Sequence, residues 1–279
     1  MIASKQVMLL MAALLLAPLA LVAVYVLRQR SFIYYPSKYP PAVVQGALSQ
    51  GITLIEFQTS QAKQTAFLFT LSPADRPPRR LWLLFGGNAM LALDWLDLLR
   101  GYPDRSAGFL FIDYPGYGSC EGRPSPAHIL ESSQKAFHAL QDRTHWRFDP
   151  ESIGVVGWSL GAAAAMQFAD KQPVGQVILI APFTTMSDMV TKVIGLPPGP
   201  LLFHPFDNVR ALRRILDRTP APKVTIVHGR ADTVVPISMG RALAMLDPER
   251  IRLVEIPAAG HNDVFYQAQS LIFADMASP

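Results

Sequence analysis

Apolar and polar positions fall into distinct blocks along the chain. Residues 7–27 carry no charged side chain, with Lys5 before them and Arg28 and Arg30 after. About 20 apolar residues suffice to cross a hydrocarbon core, so this block predicts one N-terminal transmembrane helix. The competing reading is a cleaved signal peptide, for which Ala17-Pro-Leu-Ala and Leu21-Val-Ala offer only weak cleavage sites. Basic residues nearly balance on the two sides, so the pattern assigns no orientation. After residue 51 the pattern changes to short apolar runs at 52–58, 65–70, 81–85, 108–114, 153–157, 176–182, 223–228 and 252–256. The last six are almost continuous, as expected of strands covered on both faces. Residues 89–99, 125–143, 160–170 and 237–246, and the C-terminal stretch, show helical spacing. Alternating strands and helices predict an α/β class with a mainly parallel sheet of about eight strands and helices on both faces. No helical stretch separates the first two runs, which predicts an antiparallel edge hairpin.

Two stretches break this alternation. Residues 31–51 begin "SFIYYPSKYPP" and read as a connector between the N-terminal helix and the domain. There Tyr34, Tyr35 and Tyr39 fit lipid headgroups and packing on the domain equally well. Residues 183–222 contain "GLPPGPLLFHPFDN", whose prolines exclude a long helix. They follow a strand's carboxyl end, where α/β sheets bind ligands. They predict a short cap that shapes a pocket, with Leu196, Leu201, Leu202, Phe203 and Phe206 as its apolar surface. The expected organisation is therefore an anchor or uncleaved signal at 1–30, a connector at 31–51 and an α/β domain at 52–279 with its cap near 183–222.

Composition narrows the partners. The 279 residues are 50% hydrophobic and 16% charged, and the net charge of +4 is scattered apart from pairs such as Arg79-Arg80 and Arg213-Arg214. That leaves no basic stripe for nucleic acid. The one cysteine, Cys120, cannot close an intrachain disulfide or supply a metal-ligand spacing. It reads as a small loop residue. Oligomeric state is not readable.

The candidate chemistry centres on "GVVGWSLGAAAA", from Gly154. A buried strand ends, an alanine-rich helix begins, and only Gly157, Trp158 and Ser159 remain for the turn. Small residues permit so sharp a turn, and a G-x-S-x-G turn exposes a serine hydroxyl between strand and helix. Such a hydroxyl needs a base within reach and an acid to orient that base. Among six histidines, His128, His138 and His145 belong to or follow the helix starting near Ser125 and read as surface residues. His204 lies in the cap and is a pocket candidate, while His228 reads as turn packing before Gly229. His261, in "AAGHND", follows the last strand and is the candidate base. Asp232, in "HGRADTVVP", follows the preceding strand and is the candidate acid. Asp113 precedes the serine and reads as structural. Asp188 and Asp263 are acidic neighbours, Asp263 with an orienting role toward the His261 loop. The order Ser159, Asp232, His261 suits nucleophilic acyl transfer. The N–H of Leu160 is one candidate oxyanion donor, and that of Asn88, after "LLFGG", is the second. The alternative for Asn88 is an ordinary strand-to-helix turn.

The stretches "FGGNA", "FIDYPGYGSCEGRPS", "GVVGWSLGA", "LIAPFTTMSDM", "HGRADTVVP" and "AGHND" run in that order from about Leu81 to Asp263. In them the chain resembles the α/β-hydrolases of the Bem46-like group, which includes the membrane-associated ABHD-type serine hydrolases. The resemblance implies an α/β-hydrolase fold with a short cap and Ser159, Asp232 and His261 as nucleophile, acid and base. It also implies no cofactor, no metal, and an ester, thioester or lipid-like substrate at a membrane. One departure stands out: the group has His-Gly-Asn-Ala at the oxyanion loop, and here Gly86 replaces the histidine. That departure keeps open a decayed fold serving as a binding or scaffolding module, and a soluble short-chain esterase is the other alternative.

Overall fold

The computed structural model describes residues 2–70 and 76–278, and within the first helix the side chains of residues 2–10, 12–15, 18 and 19 lie outside the described ones. The chain opens with α1 (Ile2–Ile33) and α2 (Pro41–Ser49). The expected span at 7–27 falls within α1, partly on those undescribed side chains. Among the described residues no helix is long and apolar enough to cross a membrane, so the expected transmembrane helix is not among the elements found.

Eight strands follow: β1 (Thr53–Gln58), β2 (Lys63–Thr70), β3 (Arg80–Phe85), β4 (Ala107–Ile112), β5 (Ile153–Trp158), β6 (Gln176–Ile180), β7 (Lys223–Gly229) and β8 (Ile251–Ile256). They form one sheet in the order β1-β2-β4-β3-β5-β6-β7-β8. β1 pairs antiparallel with β2, and β2 with β4, while every other pair is parallel. The strand alternation sorts side chains to two cores. Leu81, Leu83 and Phe85 face one together with Val155 and Leu179, under α4 (Pro126–Thr144), α5 (Leu160–Lys171), α7 (Asn208–Leu216) and α8 (Ile237–Ala244). Trp82 and Leu84 face the other with Phe109, Phe111 and Ile178, under α3 (Trp95–Leu98) and α9 (Val264–Ala277). Both faces are dry, which is why β3, β4, β5 and β6 read as unbroken apolar runs.

Strand order reverses between β3 and β5, because β3 pairs with both β4 and β5. The loops leaving their carboxyl ends therefore diverge and open a crevice, the usual ligand position in such sheets. The helix expected at 89–99 is not continuous. A turn closed by Met90 N–H on the Gly87 carbonyl (3.2 Å) comes first. A 3-10 turn (Ala92–Asp94) and the four-residue α3 follow. The Asp94 carboxylate accepts the Leu91 N–H (2.8 Å), which starts the helical turn after the loop and not within it.

Residues 183–222 hold α6 (Met186–Ile194) and α7, joined at the base by a Thr185–Asp207 bridge. Thr185 caps α6 through the Asp188 N–H, and Asp207 caps α7 through the Arg210 N–H. α7 packs along α5 and so belongs to the layer covering the sheet. Of the connector tyrosines, Tyr34 is buried, Tyr39 reaches the Leu93 N–H with its hydroxyl (2.9 Å), and Tyr35 is exposed.

Candidate active site

The turn after β5 is built by close backbone approach. A Cβ on Gly157 would collide with the Gly161 carbonyl, and one on Gly161 with the Phe85 carbonyl of β3. With both glycines in place, Ser159 sits at φ 56° and ψ −116°, a region non-glycine residues rarely enter. Its N–H is held by the Ile180 carbonyl of β6 (2.8 Å). The strain is thus supported from two neighbouring strands, and the hydroxyl is presented at the crevice.

Three side chains from three loops meet there. His261 Nε2 lies 2.9 Å from Ser159 Oγ, and His261 Nδ1 lies 2.7 Å from Asp232 Oδ2. The carboxylate can only accept, so Nδ1 carries the proton and Nε2 accepts from the serine hydroxyl. The other oxygen of Asp232 accepts the N–H groups of Val234 (2.9 Å) and Val235 (2.8 Å). Burial by itself would raise this carboxyl; hydrogen bonds from His228 and His261 outweigh it and hold the group well below the ordinary carboxylate range. Asp263 takes the orienting position expected of it: its Oδ1 accepts the Gly260 N–H (2.7 Å) beside His261. Trp158 Nε1 donates to the His261 carbonyl (3.2 Å), fixing the same loop from the opposite side.

Leu160 is the first residue of α5, where an N–H has no intrahelical acceptor. Asn88 lines the crevice in the loop after β3. A cavity of 430 Å³ opens over Ser159 and His261, walled by Asn88, Met90, Asp94, Leu98, Trp158 and Tyr266 among others. The expected cap surface is not part of it: none of residues 183–222 lines this cavity. Leu196 and Phe203 point to solvent, and Phe206 is buried beside Phe183. The backbone around Phe203 is tied instead to α1, where buried Gln29 bonds the Leu201 carbonyl (2.6 Å) and the N–H groups of Phe203 (2.7 Å) and His204 (3.2 Å). His204, expected as a pocket residue, turns its Nδ1 to the Tyr34 hydroxyl (3.3 Å).

His228 does more than pack a turn. It is fully buried, its Nε2 donates to the Val235 carbonyl (2.9 Å), and the same nitrogen stands 3.5 Å from Asp232 Oδ2. Its position at the end of β7, four residues before Asp232, was the available signal. Tyr266, on α9, had none, because nothing in its neighbourhood marks it off from a packing residue. Asp113 is buried and accepts the Ala92 N–H (2.8 Å), remote from His261 in the hydrogen-bond network. Cys120 is buried, and burial pushes its thiol up to about 12. Among the described residues no group of three or more His, Cys, Asp or Glu could hold a metal ion.

Comparison with known proteins finds similar chains and similar folds. The Alpha/beta hydrolase family matches residues 84–220. The uncharacterized protein Rv2307c of Mycobacterium tuberculosis (strain H37Rv) is 28% identical over 236 residues, 85% of this chain and 81% of its own. Alpha/beta hydrolase domain-containing protein 17C of Xenopus tropicalis is 31% identical over 197 residues, 70% of this chain and 60% of its own. Among solved structures, an esterase of Pyrococcus furiosus superposes with a TM-score of 0.60 at 15% identity, over 88% of this chain and 97% of its own. The family match and the relatives are to α/β-hydrolases, and the solved structures show the fold: the chain carries the α/β-hydrolase fold, with an eight-stranded, mostly parallel sheet.

Proposed function

We propose that the chain is a serine hydrolase that cleaves carboxylic or thio ester bonds through an acyl-enzyme. One observation carries the reading: the 2.9 Å and 2.7 Å contacts that join Ser159, His261 and Asp232 in line at the floor of a cavity. His261 takes the Ser159 proton as the hydroxyl attacks the acyl carbonyl, and Asp232 stabilises the resulting imidazolium. The N–H groups of Leu160 and Asn88 hold the oxyanion. His261 then protonates the departing alcohol or thiol, and water activated by the same imidazole releases the acid. The esterase name of the Pyrococcus structure and the hydrolase-domain name of the Xenopus relative support this choice of chemistry.

The substrate we propose is an acyl or lipid-like ester held near a membrane by the uncharged run at 7–27. Alkaline carbonate extraction tests the anchor: the full chain stays with the membrane pellet, and a full chain that extracts to the supernatant refutes it. A second reading, a short-chain esterase, is favoured by the cavity itself, whose walls include Asp94 and Asp97 and none of the cap's apolar side chains. Turnover of p-nitrophenyl esters from acetate to palmitate decides between the two. Ser159→Ala is expected to lose at least about 10³-fold in kcat and all labelling by a fluorophosphonate. Equal rates in wild type and variant would sink the hydrolase reading and leave the scaffold.

A further inference from the structure

Around the site, the loop after β3 is held by side chains of the stretch after β4. The N–H of Asn88 belongs to the Gly87–Asn88 peptide, and that peptide's two neighbours are each fixed by a buried phenol. Tyr114 Oη donates to the Gly86 carbonyl (2.6 Å), and Tyr117 Oη donates to the Asn88 carbonyl (2.7 Å). Both rings are at most 2% exposed and meet edge to face at 5.5 Å. Tyr117 Oη also accepts the Tyr35 N–H (2.9 Å), and that N–H reaches the Asn88 carbonyl as well (3.1 Å). The carbonyl of the central peptide takes the Met90 N–H, which closes the turn. Rotation of the Gly87–Asn88 peptide would break the Met90 bond to its carbonyl, and the phenol bonds hold the two flanking peptides between which it would have to turn. Gly86 and Gly87 have no side chains of their own to resist it.

We propose that Tyr114 and Tyr117 are positioning residues for the oxyanion loop, fixing the peptide that presents the Asn88 N–H, and that Tyr117 links this loop to the N-terminal segment through Tyr35. The inference rests on the hydrolase reading above. It places a functional duty on "DYPGYG", a stretch that contributes no side chain to the cavity walls. The segment after α1 then becomes part of the support of the site: Tyr35 bonds the loop while Gln29, six residues earlier, bonds the 201–204 segment.

The test uses the full chain with Tyr117→Phe and Tyr114→Phe, and Tyr34→Phe as control, since the Tyr34 hydroxyl bonds His204 and not the loop. Phenylalanine keeps the ring packing and removes only the donor. A misplaced oxyanion donor weakens the transition state more than the ground state. Each of Tyr117→Phe and Tyr114→Phe is therefore expected to lower kcat by about 10- to 100-fold with KM within about twofold. Inhibition by an alkyl boronic acid should weaken by a similar factor, with Ser159 still labelled by a fluorophosphonate and Tyr34→Phe behaving as wild type. If one variant fails to fold, the other gives the same readout from the opposite flank. Unchanged kcat and boronate affinity in a folded variant overturn the positioning role while leaving the hydrolase intact. An equal kcat loss in Tyr34→Phe also overturns it, since that result marks a general packing effect. A wild type that neither labels nor turns over overturns the hydrolase reading, and the positioning role with it.

Discussion

Asp113 shows how one buried charge writes a pH dependence into this molecule. Its side chain is sealed beneath the loop after β3, against the Ala92 N–H and Tyr39, with Asp94 and Lys38 as the nearest charges. Burial, the largest influence, pushes its carboxyl up to about 7. An unfolded chain would release that proton near pH ~4. Between those values the native state holds a proton that the unfolded state lacks, so stability falls as pH rises from ~4 to about 7 and levels off above. Asp113→Asn should remove this slope: melting temperatures of variant and wild type converge at the acid end and separate in the variant's favour by neutral pH. Parallel curves across the window would contradict it. Asp232 has the opposite sign, a carboxyl held ionised by its histidine partners. Asp232→Asn keeps the shape but leaves His261 without an anionic partner, and about a 10⁴-fold loss of kcat is expected, measured on the best p-nitrophenyl ester. A loss below about tenfold would remove Asp232 from the proposed mechanism.

At the scale of elements, the turn from β5 into α5 is where packing leaves least room. Gly161 is in the first turn of α5, yet it is pressed onto the carbonyl end of β3. Glycine there costs helix stability relative to alanine, so its presence reflects the neighbouring strand and not the helix. Gly161→Ala is expected to destabilise by about 1–3 kcal/mol, the usual cost of overpacking, and to shift Ser159 away from His261. Urea denaturation measures the first and fluorophosphonate labelling rate the second; a variant as stable and as reactive as wild type would show that β3 yields readily. The helix after β3 is broken for a local reason. The Met90 N–H closes a turn on the Gly87 carbonyl, and Asp94 then starts the helical turn by accepting the Leu91 N–H.

Across the whole molecule, the Gln29 side chain ties the N-terminal helix to the 183–222 region. Gln29 is 2% exposed and satisfies three backbone groups of residues 201–204. Gln29→Leu keeps the volume but strands those groups, and buried unpaired polar groups cost about 1–3 kcal/mol each. The expected result is faster amide exchange confined to residues 199–206, seen by hydrogen–deuterium exchange with mass spectrometry. Exchange rates matching wild type would mean that α1 does not support this segment.

The sequence by itself determined what depends on local pattern. Continuous apolar runs announced the strands covered on both faces. The glycine-fenced serine announced the turn after β5. Asp232 and His261 were marked by their places just beyond two apolar runs. These signals are local because a strand's burial and a turn's geometry are set by residues close in the chain. Tertiary structure alone decided which distant groups meet. It turned His204 toward Tyr34 and away from the cavity, set His228 behind Asp232, brought Tyr266 of α9 to the cavity wall, and drew the proline-rich segment to Gln29. Those contacts span from 4 to more than 170 residues, and most bring together side chains whose own neighbourhoods look like ordinary loop or helix. No spacing rule ties such positions together; the crossing order of the strands does, by fixing which loops share the carboxyl edge of the sheet.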